Sequence, residues 1–160
     1  MTTSDSEAPP TRGKQHEALD VFLGRWRAEG TTFGTPKQTD ADPRGAPEPW
    51  VSTHLAMWHT GKFFLIQDEH ATSAGGPFDT LSVLGVNAKK GGYVARAFEN
   101  HGFFRHYDVA VDGDVWTFTG ETERARIEFS DDHRTQTITW EWRPRDQWLP
   151  LCDRVATRED

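Results

Sequence analysis

The chain has 160 residues and a mass of 18.2 kDa, with 35% hydrophobic residues, 27% charged residues and a formal net charge of −7. That length suits one domain of roughly 100–200 residues, and the acidic balance disfavours a nucleic-acid surface, which needs a positive field. Seven Trp and ten Phe argue against disorder throughout, because each large ring can bury about 150–250 Å².

Residues 1–13 read as a disordered tail, polar and without periodicity, ahead of a single domain over 14–160. No basic segment followed by an apolar run marks a signal peptide there. The longest apolar stretch, 63–66, is far short of the roughly 20 residues of a membrane helix, so a cytoplasmic protein with no membrane partner is expected. A single cysteine, Cys152, excludes an intramolecular disulfide and a cysteine-based zinc cluster.

Residues 14–23 carry the one helical signal, with Leu19, Phe22 and Leu23 at i, i+3, i+4 and Gly24 as its C-cap. A strand over 26–32 follows, then a loop over 34–49 with prolines at 36, 43, 47 and 49. Loops of that length are functional or mobile. Short β-type runs come next, over 50–59, 62–69, 78–86, 93–99, 103–111, 114–119, 124–130, 135–142 and 148–157, separated by turn residues. About ten antiparallel strands with one short N-terminal helix predict an all-β, up-and-down barrel, closed so that no sheet edge is left open.

The hairpins set a register. With Asp112-Gly113 as a two-residue loop, Val109 faces Trp116 and Tyr107 faces Phe118, and alternation places Phe103, Arg105, Tyr107, Trp116 and Phe118 on one face. Carried back through Asn100-His101, the register sets Phe98 opposite Phe103 and Arg96 opposite Arg105. Carried forward, it adds Ala125, Ile127, Phe129, Gln136, Ile138, Trp140 and Trp142. The other face, with Ala95, Ala97, Phe104, His106 and Thr117 among its members, is the solvent face.

Arg96 and Arg105 thus meet inside an apolar wall, where two guanidinium groups require a negative partner. That partner is an internal carboxylate such as Asp153 or Glu99, or an anionic ligand held by bidentate hydrogen bonds. With Tyr107 and Gln136 as polar handles and Phe98, Phe103, Trp116, Phe118, Trp140 and Trp142 as apolar walls, these residues compose a small-molecule pocket.

The run His16-Glu17-Ala18-Leu19-Asp20-Val21-Phe22-Leu23-Gly24-Arg25-Trp26 resembles the opening of small lipocalin-like barrels of the calycin superfamily. The resemblance is closest to an uncharacterised bacterial calycin-like domain family, through Leu-x-Gly-x-Trp, the later Asp112-Gly113-Asp114-Val115-Trp116 and the strand Thr139-Trp140-Glu141-Trp142. It implies a barrel with Trp26 plugging one end and a cavity for a small apolar or amphipathic molecule. Arg96, Arg105 and Tyr107 are similar to the carboxylate-holding set of fatty-acid-binding-type barrels. The Gly-x-Trp opening is shared with haem-binding nitrobindin-like barrels.

Seven histidines include no HExxH or paired metal motif, and no P-loop, dinucleotide fingerprint or nucleophile elbow occurs, so no cofactor and no metal are expected. His54 is the candidate base for a cofactor-independent isomerase, cyclase or lyase, with the arginines stabilising an oxyanion. In the hairpin at Thr60-Gly61 it opposes Gln67, and both faces of strands 50–59 and 62–69 are equally apolar, so their inner face stays open. The expected function is binding of a small amphipathic or anionic ligand, ahead of catalysis on such a compound and of haem binding. Monomer and homodimer both remain open.

Overall fold

A computed structural model describes residues 8–159. Residues 1–7 of the expected tail lie outside them, while Arg12 donates from Nε to the Lys62 carbonyl at 3.2 Å and lies 5.3 Å over the Trp58 ring. The N-terminal helical signal becomes a short helix α1 (Lys14–Ala18) and a 3-10 turn (Leu19–Phe22). Gly24 starts the first strand rather than capping the helix, since Leu23 already has extended backbone.

Ten strands follow: β1 (Gly24–Thr32), β2 (Glu48–Trp58), β3 (Phe64–Ser73), β4 (Gly76–Val86), β5 (Tyr93–Glu99), β6 (Phe104–Asp112), β7 (Val115–Thr119), β8 (Glu123–Phe129), β9 (Thr135–Trp142) and β10 (Leu149–Glu159). Each pairs antiparallel with its sequence neighbours, and β10 returns to β1 to close an up-and-down barrel. The expected all-β, up-and-down barrel of about ten strands with one short N-terminal helix is the architecture found. No helix among the described residues is long and apolar enough to cross a membrane.

The helical segment seals one end. Leu19 and Phe22 are buried there with Trp26, Trp116 and Phe129, Trp26 Nε1 donates to the Phe22 carbonyl at 2.9 Å, and Tyr93 Oη donates to the Gln15 carbonyl at 2.8 Å. Arg158 lies 4.5 Å over the Trp26 ring and bonds the carbonyls of Leu23 and Val21. The cation thereby fixes the 3-10 turn to the last strand and covers one face of the plug. At the other end the 33–47 connection is pinned down: Gln38 accepts from Trp142 Nε1 at 2.9 Å and donates to the Pro150 carbonyl at 2.7 Å, and Arg44 pairs with Asp153 at 3.1 Å.

The register departs from expectation in three places. At β6–β7 the loop is Gly113-Asp114, so Val111 faces Trp116 and Val109 faces Phe118. At β2–β3, His54 faces Glu69 instead of Gln67. Both shifts are even, and no side chain changes face. At β5–β6 the shift is odd. Glu99 and Phe103 close a three-residue loop in which Gly102 takes φ +95, so Phe98 faces Phe104 and Arg96 faces His106. An αL residue at the end of such a loop is a common three-residue hairpin device. It turns Tyr93, Ala95 and Ala97 inward, while Arg96 is exposed and Phe98 is 45% exposed. The opposed inward pair of Arg96 and Arg105 is therefore absent, and Ala95 and Ala97 leave the expected solvent face.

Candidate functional site

Above the plug the barrel encloses a cavity of about 420 Å³ that reaches the open end. This lies within the roughly 300–1,000 Å³ of small-molecule sites. Of the expected site residues, Arg105, Tyr107, Phe103, Phe118, Gln136, Trp140 and Trp142 line it. Arg96 and Phe98 lie on the outer surface, and Trp116 belongs to the plug, packed on Phe22 and Tyr93 at 5.0 Å. The inner face of β2 and β3 is now defined. Trp50, Ser52, His54 and Ala56 are buried on β2, where Ser52, His54 and Ala56 face Ala71, Glu69 and Gln67 of β3.

Two polar poles interrupt the apolar wall. The first stands at the rim, where β7 has ended at Thr119 opposite Asp108 and β6 runs on without it. Side chains bridge that gap: Arg105 Nε lies 3.1 Å from Glu123 Oε1, and Tyr107 Oη donates to Glu123 Oε2 at 3.0 Å. Arg105 also lies 5.1 Å over the Phe103 ring. Burial, followed by the charge and hydrogen bond of Glu123, raises the Tyr107 pKa and keeps its phenol a donor. The internal carboxylate demanded by Arg105 is thus Glu123, not Asp153 or Glu99.

The second pole was not expected from the sequence. Arg154 on β10 reaches across β1 and β2 to Glu69 on β3 at 3.7 Å, with Ser52 Oγ 3.3 Å from the same carboxylate and the guanidinium 4.9 Å over Trp50. Gly30 makes the crossing feasible, because a Cβ there would stand 2.6 Å from Arg154 Cα and 1.9 Å from the Asp153 carbonyl oxygen. Cys152 lies on the same wall, and burial pushes its thiol up to about 11, leaving it an unreactive small apolar group. Glu99, near the rim, is pushed up by burial. Hydrogen bonds from the Phe103 and His101 amides and the His101 ring outweigh this and hold it below the usual carboxylate range.

His54 lies between these features and the plug, its ring stacked on Trp26 with centroids 6.1 Å apart. Burial, opposed by Glu69 and aided by Arg154, pulls its pKa down to about 4, so it is uncharged at neutral pH. The unfolded chain then binds the extra proton between pH 6.5 and about 4. Stability is full above that window and is lost as pH falls through it. Urea unfolding from pH 7 to 4 is expected to show a loss on the order of 3 kcal/mol from this group. His54→Gln should flatten the slope, and an unchanged slope would assign it to other groups.

The amide of Gln136 is only 2% exposed, and its Nε2 has no hydrogen-bond partner among the described residues. Such a group costs about 1–3 kcal/mol, so Gln136→Met is expected to raise the unfolding midpoint. A fall would show that the amide is satisfied in solution. No group of three or more His, Cys, Asp or Glu among the described residues is arranged to hold a metal ion.

No family model matches the chain, and no curated protein sequence does. Solved structures do. The S-type phycobiliprotein lyase CPES from Guillardia theta is 10% identical with a TM-score of 0.54, over 93% of this chain and 94% of that one. The zebrafish ileal bile acid-binding protein, solved with cholic acid, is 12% identical with a TM-score of 0.52, over 87% of this chain and 99% of that one. At these identities the likeness is one of fold.

Proposed function

We propose that the chain binds a small amphipathic organic molecule inside the barrel. The observation that carries this is the cavity itself: about 420 Å³, walled largely by aromatic and aliphatic side chains, with ion pairs at two poles and a few further polar side chains between them. A few convergent polar groups in an apolar enclosure fix a ligand's orientation, while the walls supply the burial. The bile acid-binding protein of the same fold, solved with cholic acid, supports the reading by analogy. The expectation of a specifically anionic ligand loses its basis, since Arg96 is outside and Arg105 is paired.

Native mass spectrometry of the purified protein tests the proposal, together with tryptophan quenching by a panel of hydrophobic alcohols, ketones, acids and amines. Co-purified mass or saturable one-to-one quenching is expected. A flat response across the panel would count against it, and a Soret band in an iron-replete sample would redirect it to haem.

Catalysis in the same cavity has one supporting observation, the place of His54 on the wall. With its pKa near 4, His54 is a weak base for a reaction at neutral pH. Binding therefore stands first. Turnover of a bound compound, lost in His54→Ala, would reverse that order.

A further inference from the structure

We infer that the ligand's polar end is uncharged, a hydroxyl or carbonyl group on a ring or hydrocarbon body, and that this cavity discriminates against carboxylates. The inference rests on the binding reading above and adds its charge class.

Five formally charged side chains line the cavity: Arg105, Arg154, Glu69, Glu99 and Glu123. Each guanidinium has a carboxylate partner, and Arg154 keeps a buried Nε–H with no hydrogen-bond partner among the described residues. Arg105 faces Glu123 at 3.1 Å and Arg154 faces Glu69 at 3.7 Å. Each also has an aromatic ring against it, Phe103 at 5.1 Å and Trp50 at 4.9 Å, which opposes a swing towards a new partner. Glu99 is a carboxylate already satisfied by two backbone amides and an imidazole. His54 adds no charge at neutral pH.

Among the described residues an entering carboxylate would find no cation without a carboxylate partner in the cavity. It would lose its hydration and meet the negative charge of Glu69 or Glu123 in a setting where water screens weakly. An ammonium would find each carboxylate already engaged and would pay its own desolvation. A neutral polar group faces neither cost. A guanidinium carries five N–H donors and a carboxylate about four acceptor sites, so each pole retains both kinds of hydrogen-bonding capacity after its ion pair is made. Gln67 and Gln136, which also line the cavity, add neutral amides. The cavity thus offers hydrogen bonds in both directions with no net positive charge.

Three probes that share one ring system test this: 2-naphthol, 2-naphthoate and 2-naphthylmethylammonium, titrated into the intact protein at pH 7 by calorimetry. 2-Naphthol is expected to bind saturably and at least tenfold more tightly than 2-naphthoate. Equal or tighter binding of 2-naphthoate or of the ammonium would overturn the inference while leaving the binding reading intact. No saturable binding by any of the three would overturn the binding reading, and the inference with it.

Releasing a guanidinium supplies the second arm. Glu123→Gln, at the rim, frees Arg105, and Glu69→Gln frees Arg154 deeper in the wall. Either folded variant should gain at least tenfold in 2-naphthoate affinity with little change for 2-naphthol. No gain in either would show that pairing does not set the selectivity.

Discussion

Replacing Trp26 with Ala is expected to destabilise the barrel by about 3–5 kcal/mol, the usual cost of emptying a buried Trp site. The side chain is 1% exposed and its loss acts at several places at once, the stacked His54 ring among them. The 3-10 turn loses the hydrogen bond from Nε1 to the Phe22 carbonyl, Arg158 loses the ring 4.5 Å beneath it, and Phe129 loses an edge contact at 6.2 Å. A domain of this size has a total stability of about 5–15 kcal/mol, so the variant should be partly unfolded or close to it. Thermal unfolding checks this, with a midpoint lowered by roughly 10 °C or more. Met57→Ala, on a side chain 52% exposed, serves as the control and should stay within about 0.5 kcal/mol of the parent. A small loss in Trp26→Ala would mean that the helical segment seals the barrel without its central ring.

The second large effect is expected at a residue with no side chain. Gly30→Ala would place a methyl group 1.9 Å from the Asp153 carbonyl oxygen and within 2.7 Å of Arg154 Cα and Cβ. Two of those contacts are with backbone, so strands β1 and β10 must separate locally. Overpacking of this kind costs about 1–3 kcal/mol and sometimes more. The shift also moves Arg154 away from Glu69, and breaking a buried ion pair is itself destabilising. Urea unfolding should place Gly30→Ala well below the parent, with Gly75→Ala, whose added Cβ meets only Ser73 Oγ at 3.9 Å, close to neutral. Equal midpoints for the two variants would contradict the crossing of Arg154 over β1.

The strands were legible because period-two alternation and turn residues mark them directly, as in β5 and β9, whose limits match the structure. Face assignment succeeded wherever a register error was even. It failed on β5, where one residue of loop length at Asn100–Gly102 turned Phe98 out and Ala97 in. Apolar character misled there for a physical reason: the wall of an open cavity needs small side chains to leave room, so alanine faces inward and Phe98 stacks on Phe104 outside, 5.0 Å away.

Of the polar poles, the inward place of Arg105 and Tyr107 was legible in the sequence, and Glu123 and Arg154 carried a usable signal too. Glu123 shares its face with Ala125, Ile127 and Phe129, and Arg154 shares its face with Cys152 and Ala156. A charge at an inward position calls for an opposite charge at another inward position. Which of them meet depended on three-dimensional neighbours, as with Arg154 and Glu69, which lie on strands separated by β1 and β2. The contribution of Gly30 was invisible for the same reason.

Filling the cavity tests the central claim most directly. Ala97 faces the interior and lines the cavity, so Ala97→Trp should occupy the space a ligand needs while leaving the barrel folded, as circular dichroism would show. Calorimetric titration of 2-naphthol is expected to give saturable one-to-one binding with the parent and at least a tenfold loss with Ala97→Trp. Undiminished binding by the folded variant would place the ligand somewhere other than inside the barrel.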